Sequence, residues 1–200
     1  MTLARVGILG GTFDPPHFGH IAIADSALRE LNLTMIIFVP ARIPPHKAKR
    51  ASASAEDRMN MLRLALGKRP DFEISDIELT REGPSYTIDT LDELRRQRPH
   101  DELFLIIGAD NVCDIETWHK PARIFERATV AAANRPGYSP HGKFANNVVN
   151  FKMPPADVSS TEIRERARNE ESLSGLVTPG VEQYINQKHL YINNGKTNSD

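Results

Sequence analysis

The stretch "GGTFDPPHFGH", from Gly10 to His20, concentrates residue types that bind anions. Gly10 and Gly11 end an apolar run, and without a Cβ they let a ligand approach the backbone. A helical pattern follows, and the unpaired N–H groups at a helix start attract negative charge. His17 and His20 are three residues apart, so on a helix they share one face and both can donate to a phosphate oxygen. The turn is therefore a candidate phosphate site.

The two histidines alone leave other interpretations open. In an isolated H-x-x-H pair, one histidine more often caps the helix while the other packs in the core. A zinc site is a further alternative, but Asp14 is the only nearby third ligand, and metal sites usually need three or four. The choice depends on the rest of the sequence.

A second stretch, "VSSTEIR", also combines a helix start with polar side chains. Ser159 followed by Glu162 forms a capping box, which is a common way to begin a helix. Capping does not require the hydroxyls of Ser160 and Thr161, nor Arg164 one turn later. These groups favour a second phosphate site at the start of this helix.

Apolar runs alternate with helical patterns along the chain, which predicts crossover connections. The runs lack polar alternation, as expected for strands buried on both faces, and lie at 6–10, 35–40, 103–108 and 129–134. The helical patterns lie at 20–31, 55–67, 86–98, 120–127 and 160–170. The predicted fold is α/β, a Rossmann-like, doubly wound and mostly parallel sheet with helices on both faces. Ligands of such sheets bind beyond the carboxyl ends of the strands.

Composition restricts the classes of function. The 200 residues are 40% hydrophobic and carry a net charge of −1, so no overall field attracts nucleic acid or an acidic membrane. Cys113 is the only cysteine, which excludes an intrachain disulfide and fits a cytoplasmic protein. We find no signal peptide or membrane-length segment. We expect one domain over 1–192, a frayed tail at 193–200 and an exposed loop at 40–55.

Both motifs resemble those of a known family. "GGTFDPPHFGH" is similar to the first signature of the nucleotidylyltransferase superfamily, (H/T)-x-G-H, in the form typical of bacterial nicotinate mononucleotide adenylyltransferases. "VSSTEIR" matches the family's second signature, (I/V)-S-S-T-x-I-R, and occurs in the family order. The resemblance implies one nucleotidylyltransferase domain that uses ATP and Mg²⁺, the metal being held mainly by phosphates and water.

The resemblance also implies an ATP site made from both motifs. His17, His20, Lys47 and Arg164 are its expected catalytic residues, although Lys47 by itself could be an ordinary solvated loop cation. The remaining expected ATP-binding residues are Gly10, Gly11, Thr12, Phe13, Gly19, Gly108, Asp110, Ser160 and Thr161. Asp110 would accept hydrogen bonds from the ribose, or it could only cap the next helix.

The expected acceptor pocket resembles the family's nicotinate site. Thr87 at a helix start would face the carboxylate, and Trp118 would stack on the pyridine ring, although a single tryptophan is ordinarily a core residue. Arg135 would contact the mononucleotide phosphate, with an exposed surface arginine as the alternative.

The reaction implied by the resemblance transfers the adenylyl group of ATP to nicotinate mononucleotide. The expected products are nicotinate adenine dinucleotide, a precursor in NAD biosynthesis, and pyrophosphate. Two alternatives remain: the same reaction with nicotinamide mononucleotide or phosphopantetheine as acceptor, and a non-catalytic nucleotide sensor. The sequence does not indicate an oligomeric state.

Overall fold

The computed structural model describes residues 3–43, 51–134 and 141–192, and its centre is one six-stranded sheet. The strands are β1 (Arg5–Gly11), β2 (Met35–Pro40), β3 (Phe72–Ile74), β4 (Glu102–Gly108), β5 (Thr129–Asn134) and β6 (Val149–Lys152). Their spatial order is β3-β2-β1-β4-β5-β6, and every neighbouring pair is parallel. The predicted α/β fold is confirmed.

The four predicted strands correspond to β1, β2, β4 and β5, which form the middle of the sheet. They are buried on both faces, so continuous apolar runs identified them. The sequence analysis missed β3 and β6, the two edge strands, which have only three and four residues. An edge strand needs fewer apolar side chains and therefore leaves a weaker pattern.

Eight α-helices lie within the described residues. They are α1 (Phe18–Glu30), α2 (Ala55–Leu66), α3 (Ile77–Thr80), α4 (Thr87–Gln97), α5 (Asp110–Asp114), α6 (Pro121–Arg127), α7 (Ser160–Arg168) and α8 (Pro179–Gln187). The predicted helices correspond to α1, α2, α4, α6 and α7, with ends that differ by at most two residues. The prediction missed α3, α5 and α8. Every described helix is too short or too polar to span a bilayer.

Each face of the sheet is covered by its own apolar cluster. On one face, side chains of β1, β2, β4 and β5 pack with α4, α6 and Val112 of α5. On the other face, the alternate side chains of the same strands pack with α1 and α2. The predicted placement of helices on both faces is correct, and it follows from the side-chain alternation along each strand.

A third cluster attaches the last two helices to α2. Met61 of α2 is fully buried against Ile163 of α7 and against Val181 and Ile185 of α8. This packing places the start of α7, with its "VSSTEIR" motif, beside the first turn of the chain.

The strand order reverses between β1 and β4. From β1 the chain proceeds outward through β2 to β3, and it then crosses to β4 and continues to β6 on the other side. Crossovers leave a crevice at such a point, beyond the carboxyl ends of the strands. Gly10 and Gly11 end β1 at this crevice, and Gly108 ends β4.

Candidate active site

The two histidines of the first motif lie side by side at the start of α1. His17 is the N-cap residue, and its backbone N–H donates to Nδ1 of His20 at 3.2 Å. The ring centroids are 3.8 Å apart, and the ring of Phe13 packs edge-on against His20 at 4.9 Å. The predicted shared face is therefore present, and the ring of His20 is fixed from two sides.

His17 is the more buried of the pair, with a relative exposure of 9%. Burial lowers the pKa of His17 to about 4, so its imidazole is neutral at pH 7. Its side chain faces the backbone N–H of His20 in a capping box, although Nδ1 forms no hydrogen bond of ordinary geometry among the described residues. His17 therefore has the helix-capping position that the sequence left open as an alternative.

The glycines of the first motif leave space for two different purposes. A Cβ at Gly10 would meet nothing within 4 Å, so the end of β1 faces open space in the crevice. At Gly19, a Cβ would lie 3.0 Å from the ring of His17 and 3.1 Å from Cγ1 of Val158. Gly19 therefore allows the second motif to pack directly against the histidine pair.

The second motif is hydrogen-bonded to the first. Ser159 caps α7 by accepting from the N–H of Glu162 at 3.1 Å. Ser160 donates from Oγ to the main-chain oxygen of Pro15 at 3.0 Å. Arg164 donates from Nη1 to the main-chain oxygen of Asp14 at 2.7 Å and from Nη2 to Thr161 Oγ1 at 3.2 Å. The helix starts of α1 and α7 are thus held at one place.

The ring of Phe13 lies in the core and not in the crevice. Phe13 is 1% exposed, packs near Phe38 and has a φ of 50°. Only its main chain is available to a ligand, so the ATP-binding role predicted for Phe13 is restricted to backbone groups. The same ring lies 3.0 Å from a Cβ built on Gly11, so it also fills the space beside that glycine.

At the end of β4, a carboxylate covers the terminal glycine. A Cβ on Gly108 would lie 2.5 Å from Oδ1 of Asp110, so a larger residue at this position would displace the carboxylate. Asp110 is exposed and is the first residue of α5. Its carboxylate therefore lies at the crevice, on the β4 side, where it can accept hydrogen bonds from a sugar.

The segments expected to form the acceptor pocket pack against each other. The rings of Tyr86 and His119 stack with centroids 4.4 Å apart, which brings the neighbouring Thr87 and Trp118 into one region. Thr87 is the first residue of α4, as predicted. Trp118 is half-buried and packs against the core beneath α4, so part of the indole serves the core.

Two hydrogen bonds connect this pocket region to the crevice. The N–H of Arg42 donates to Oγ of Ser85 at 3.0 Å, and the N–H of Ala41 donates to the main-chain oxygen of Gly11 at 2.8 Å. The segment after β2 therefore lies between the end of β1 and the loop that leads into α4.

Comparison with known proteins agrees with this geometry. The family described as Cytidylyltransferase-like matches residues 8–166. A probable nicotinate-nucleotide adenylyltransferase from Geobacillus thermodenitrificans is 44% identical over 189 residues, which cover 94% of this chain and 87% of the relative. Another from Carboxydothermus hydrogenoformans is 38% identical, with 96% of this chain and 100% of the relative covered. The chain belongs to the nicotinate-nucleotide adenylyltransferase family.

Solved structures support the same fold for this adenylyltransferase family member. Nicotinic acid mononucleotide adenylyltransferase of Plasmodium falciparum, complexed with NaAD, matches with a TM-score of 0.79 over 94% of this chain and 97% of that one, at 19% identity. A putative nicotinate-nucleotide adenylyltransferase from Vibrio parahaemolyticus gives a TM-score of 0.71 over 96% and 97%, also at 19% identity.

Two of the expected site residues of this adenylyltransferase belong to segments outside the described residues. Lys47 lies in 44–50 and Arg135 in 135–140, and both segments are outside the described residues. The loop predicted at 40–55 is described only in part. At its last residues the loop is exposed as expected at Ser52, Ser54 and Ala55. Ala53 is the exception within 51–55, because it is 7% exposed, and the N–H groups of Ser52 and Ala53 donate to the carboxylate of Asp14 at 2.7 and 3.1 Å.

The sequence analysis missed Arg58, a buried arginine that supports the first motif of this adenylyltransferase. Arg58 is 2% exposed, and its Nη1 donates to the main-chain oxygens of Thr12 at 2.8 Å and Ala41 at 2.7 Å. Burial lowers its pKa, and the nearby carboxylate of Asp14 opposes that shift. The sequence does carry a signal for this buried arginine. Helical spacing places Arg58 on the apolar face of α2 with Met61, where a charged residue is expected to have buried partners.

Proposed function

We propose that this chain transfers the adenylyl group of ATP to nicotinate mononucleotide, giving nicotinate adenine dinucleotide and pyrophosphate. The observation that carries the proposal is the junction of the two motifs through Arg164 and Asp14, beside the histidine pair and at the point where the strand order reverses. Membership of a family whose relatives are named nicotinate-nucleotide adenylyltransferases supports the choice of acceptor.

The proposed chemistry asks the protein for alignment more than for proton transfer. An oxygen of the 5′-phosphate of the mononucleotide forms a bond to the α-phosphorus of ATP, and the bond from that phosphorus to the bridging oxygen of pyrophosphate breaks. The attacking phosphate is ionised at neutral pH, so no general base is needed. The protein aligns the two nucleotides and stabilises the charge that develops on the phosphates.

We assign the triphosphate to the crevice between the ends of β1 and β4. The neutral ring of His17 lies at the start of α1, and the open space above Gly10 admits a ligand group. His20 and Arg164 are assigned to the phosphates, together with Lys47 from the segment outside the described residues. The sugar of the adenosine is assigned to Asp110 above Gly108. We assign the remaining ATP contacts to the backbone groups of Gly11, Thr12, Phe13 and Gly19 and to the helix start at Ser160 and Thr161.

We assign the pyridine ring to the region around Thr87 and Trp118, with Arg135 at the mononucleotide phosphate. The start of α4 presents N–H groups suited to a carboxylate, and an indole ring is suited to stacking on an aromatic ring. These features favour the acid over the amide form of the mononucleotide, because the amide has no negative charge to place at the helix start.

Mg²⁺ is proposed to enter with ATP. The described residues contain no group of three or more His, Cys, Asp or Glu side chains that could hold a metal ion. We propose that the ligands of the ion are mainly phosphate oxygens and water. Bound in this way, Mg²⁺ would neutralise phosphate charge. The substrates and the single cysteine are consistent with a cytoplasmic protein, and we propose residues 1–192 as one nucleotidylyltransferase domain.

A pyrophosphate-release assay with ATP and Mg²⁺ tests the proposal. The purified chain is assayed with nicotinate mononucleotide, nicotinamide mononucleotide and phosphopantetheine in parallel, and products are identified by chromatography. We expect turnover with nicotinate mononucleotide and a kcat/KM at least about tenfold lower with the amide. Equal efficiency on the two mononucleotides would contradict the pocket assignment. Tight ATP binding with no turnover on any acceptor would favour the nucleotide sensor.

A further inference from the structure

A tyrosine near the end of the described chain contacts the first motif. Tyr191 donates from its hydroxyl to Oδ1 of Asp14 at 2.8 Å, although the two residues are 177 positions apart. The same carboxylate accepts from the N–H groups of Ser52 and Ala53, and Asp14 is only 4% exposed. Three donors from two distant segments therefore fix the orientation of one buried carboxylate.

The main chain of Asp14 carries this fixed orientation to the site. Its main-chain oxygen accepts from Arg164, and Asp14 lies three residues before His17. If this support of the carboxylate were lost, the main chain of Asp14 would be free to shift, together with the oxygen that holds Arg164 and the turn that leads to the histidines. Contacts with substrate are sensitive to such a shift, because catalysis by alignment depends on sub-ångström placement of the reacting groups.

Tyr191 is well suited to hold a carboxylate in place. Burial, and then the neighbouring Asp14 carboxylate, raise the pKa of its phenol, which therefore keeps its proton and donates. Its hydroxyl also lies 3.9 Å from the sulfur of Met61 in the third cluster. The tyrosine thus joins the α2–α7–α8 cluster to the first motif.

We propose that Tyr191 is a positioning residue for adenylyl transfer, acting through Asp14 on the first motif and Arg164. The proposal rests on the proposed function, because the step that it assists is the alignment of ATP with the acceptor. Tyr191 itself is not assigned a contact with substrate.

Tyr191→Phe removes only the hydroxyl, and Tyr184→Phe is its matched control. Tyr184 also belongs to the third cluster, and it also donates to a carboxylate, Oδ1 of Asp57, at 2.9 Å. That bond does not contact the first motif directly. The two variants therefore make the same chemical change in the same part of the molecule, and only one of them changes the support of Asp14.

We expect Tyr191→Phe to lower kcat by about tenfold, with the KM for ATP within about twofold of the wild type. Tyr184→Phe should keep the wild-type kcat. Each protein is assayed well below its own unfolding midpoint, so that a loss of stability does not count as a loss of turnover. If Tyr191→Phe and Tyr184→Phe have the same kcat as the wild type, the positioning role is wrong.

A readout that does not depend on turnover separates this proposal from the proposed function. The ring-proton NMR signals of His17 and His20 should shift in Tyr191→Phe and stay unchanged in Tyr184→Phe. If the wild type itself fails to release pyrophosphate, the proposed function fails, and these signals then decide the positioning role alone. Unchanged histidine signals in Tyr191→Phe would overturn it.

Discussion

Arg164 donates from Nη1 to the main-chain oxygen of Asp14 at 2.7 Å, across 150 positions of the chain. This bond joins the second motif to the first through one N–H of the guanidinium, and Ser160 adds a second bond between the motifs, to Pro15. Because two N–H groups of one arginine serve Asp14 and Thr161, the side chain is already oriented without a ligand. Such preorganisation lowers the cost of binding a charged group.

Arg164→Ala should lower kcat/KM for adenylyl transfer by at least about a hundredfold. The change removes a cation from the proposed triphosphate site and releases the main chain of Asp14. Arg166→Ala, on the same helix, is the control. Arg166 forms partly exposed ion pairs with Glu162 and Glu171 at 3.5 and 3.9 Å, and such pairs contribute little. Steady-state pyrophosphate release measures both, and equal losses in the two variants would contradict the assignment.

His17→Ala and His20→Ala should each lower turnover by at least about a hundredfold, which is typical of the loss of one donor that stabilises developing charge. The paired rings at 3.8 Å place both imidazoles at the same end of α1. His100→Ala changes an exposed histidine and should leave turnover unchanged. Near wild-type turnover in both motif variants would remove the histidines from catalysis.

The burial of His17 predicts a pH-dependent stability. Its pKa falls from 6.5 to about 4 on folding, so between these values the unfolded chain binds more protons than the folded one. The stabilisation is complete above about pH 6.5 and is lost as the pH falls toward about 4. Between pH 7 and pH 5, the free energy of unfolding should fall by about 2 kcal/mol because of His17.

Urea unfolding of the wild type and of His17→Asn at pH 7 and pH 5 measures this effect. The free energy of unfolding of the wild type should fall more on acidification than that of the variant, by about 2 kcal/mol. His100→Asn makes the same substitution at an exposed histidine and is the control. If the free energy of unfolding falls equally in the wild type and in His17→Asn, then His17 does not take up a proton on unfolding between pH 7 and pH 5.

Much of the fold could be predicted because its signals are local. The central strands read as apolar runs, and Ser159 and Glu162 announced the start of α7. The edge strands β3 and β6 could not be found, because three or four residues carry no period. The helix α8 was also missed, although Pro179 marks its first position.

The supporting residues of the site were harder to predict than the residues of the motifs. His17 and Arg164 belong to short motifs that are recognisable in the sequence, and the structure brings these motifs together as expected. Arg58 and Tyr191 act on main-chain and carboxylate oxygens of the first turn, which lies far away in sequence. Such partners depend on tertiary packing, and no local pattern announces them.

The separation of Asp14 from Arg164 also sets an order of events during synthesis. Ribosomes add about 5–20 residues per second, so the first turn waits on the order of ten seconds before the arginine that holds it has been made. Tyr191 follows later still. A nascent chain therefore joins its two motifs only after Arg164 has been made, and it gains the support of Tyr191 after that.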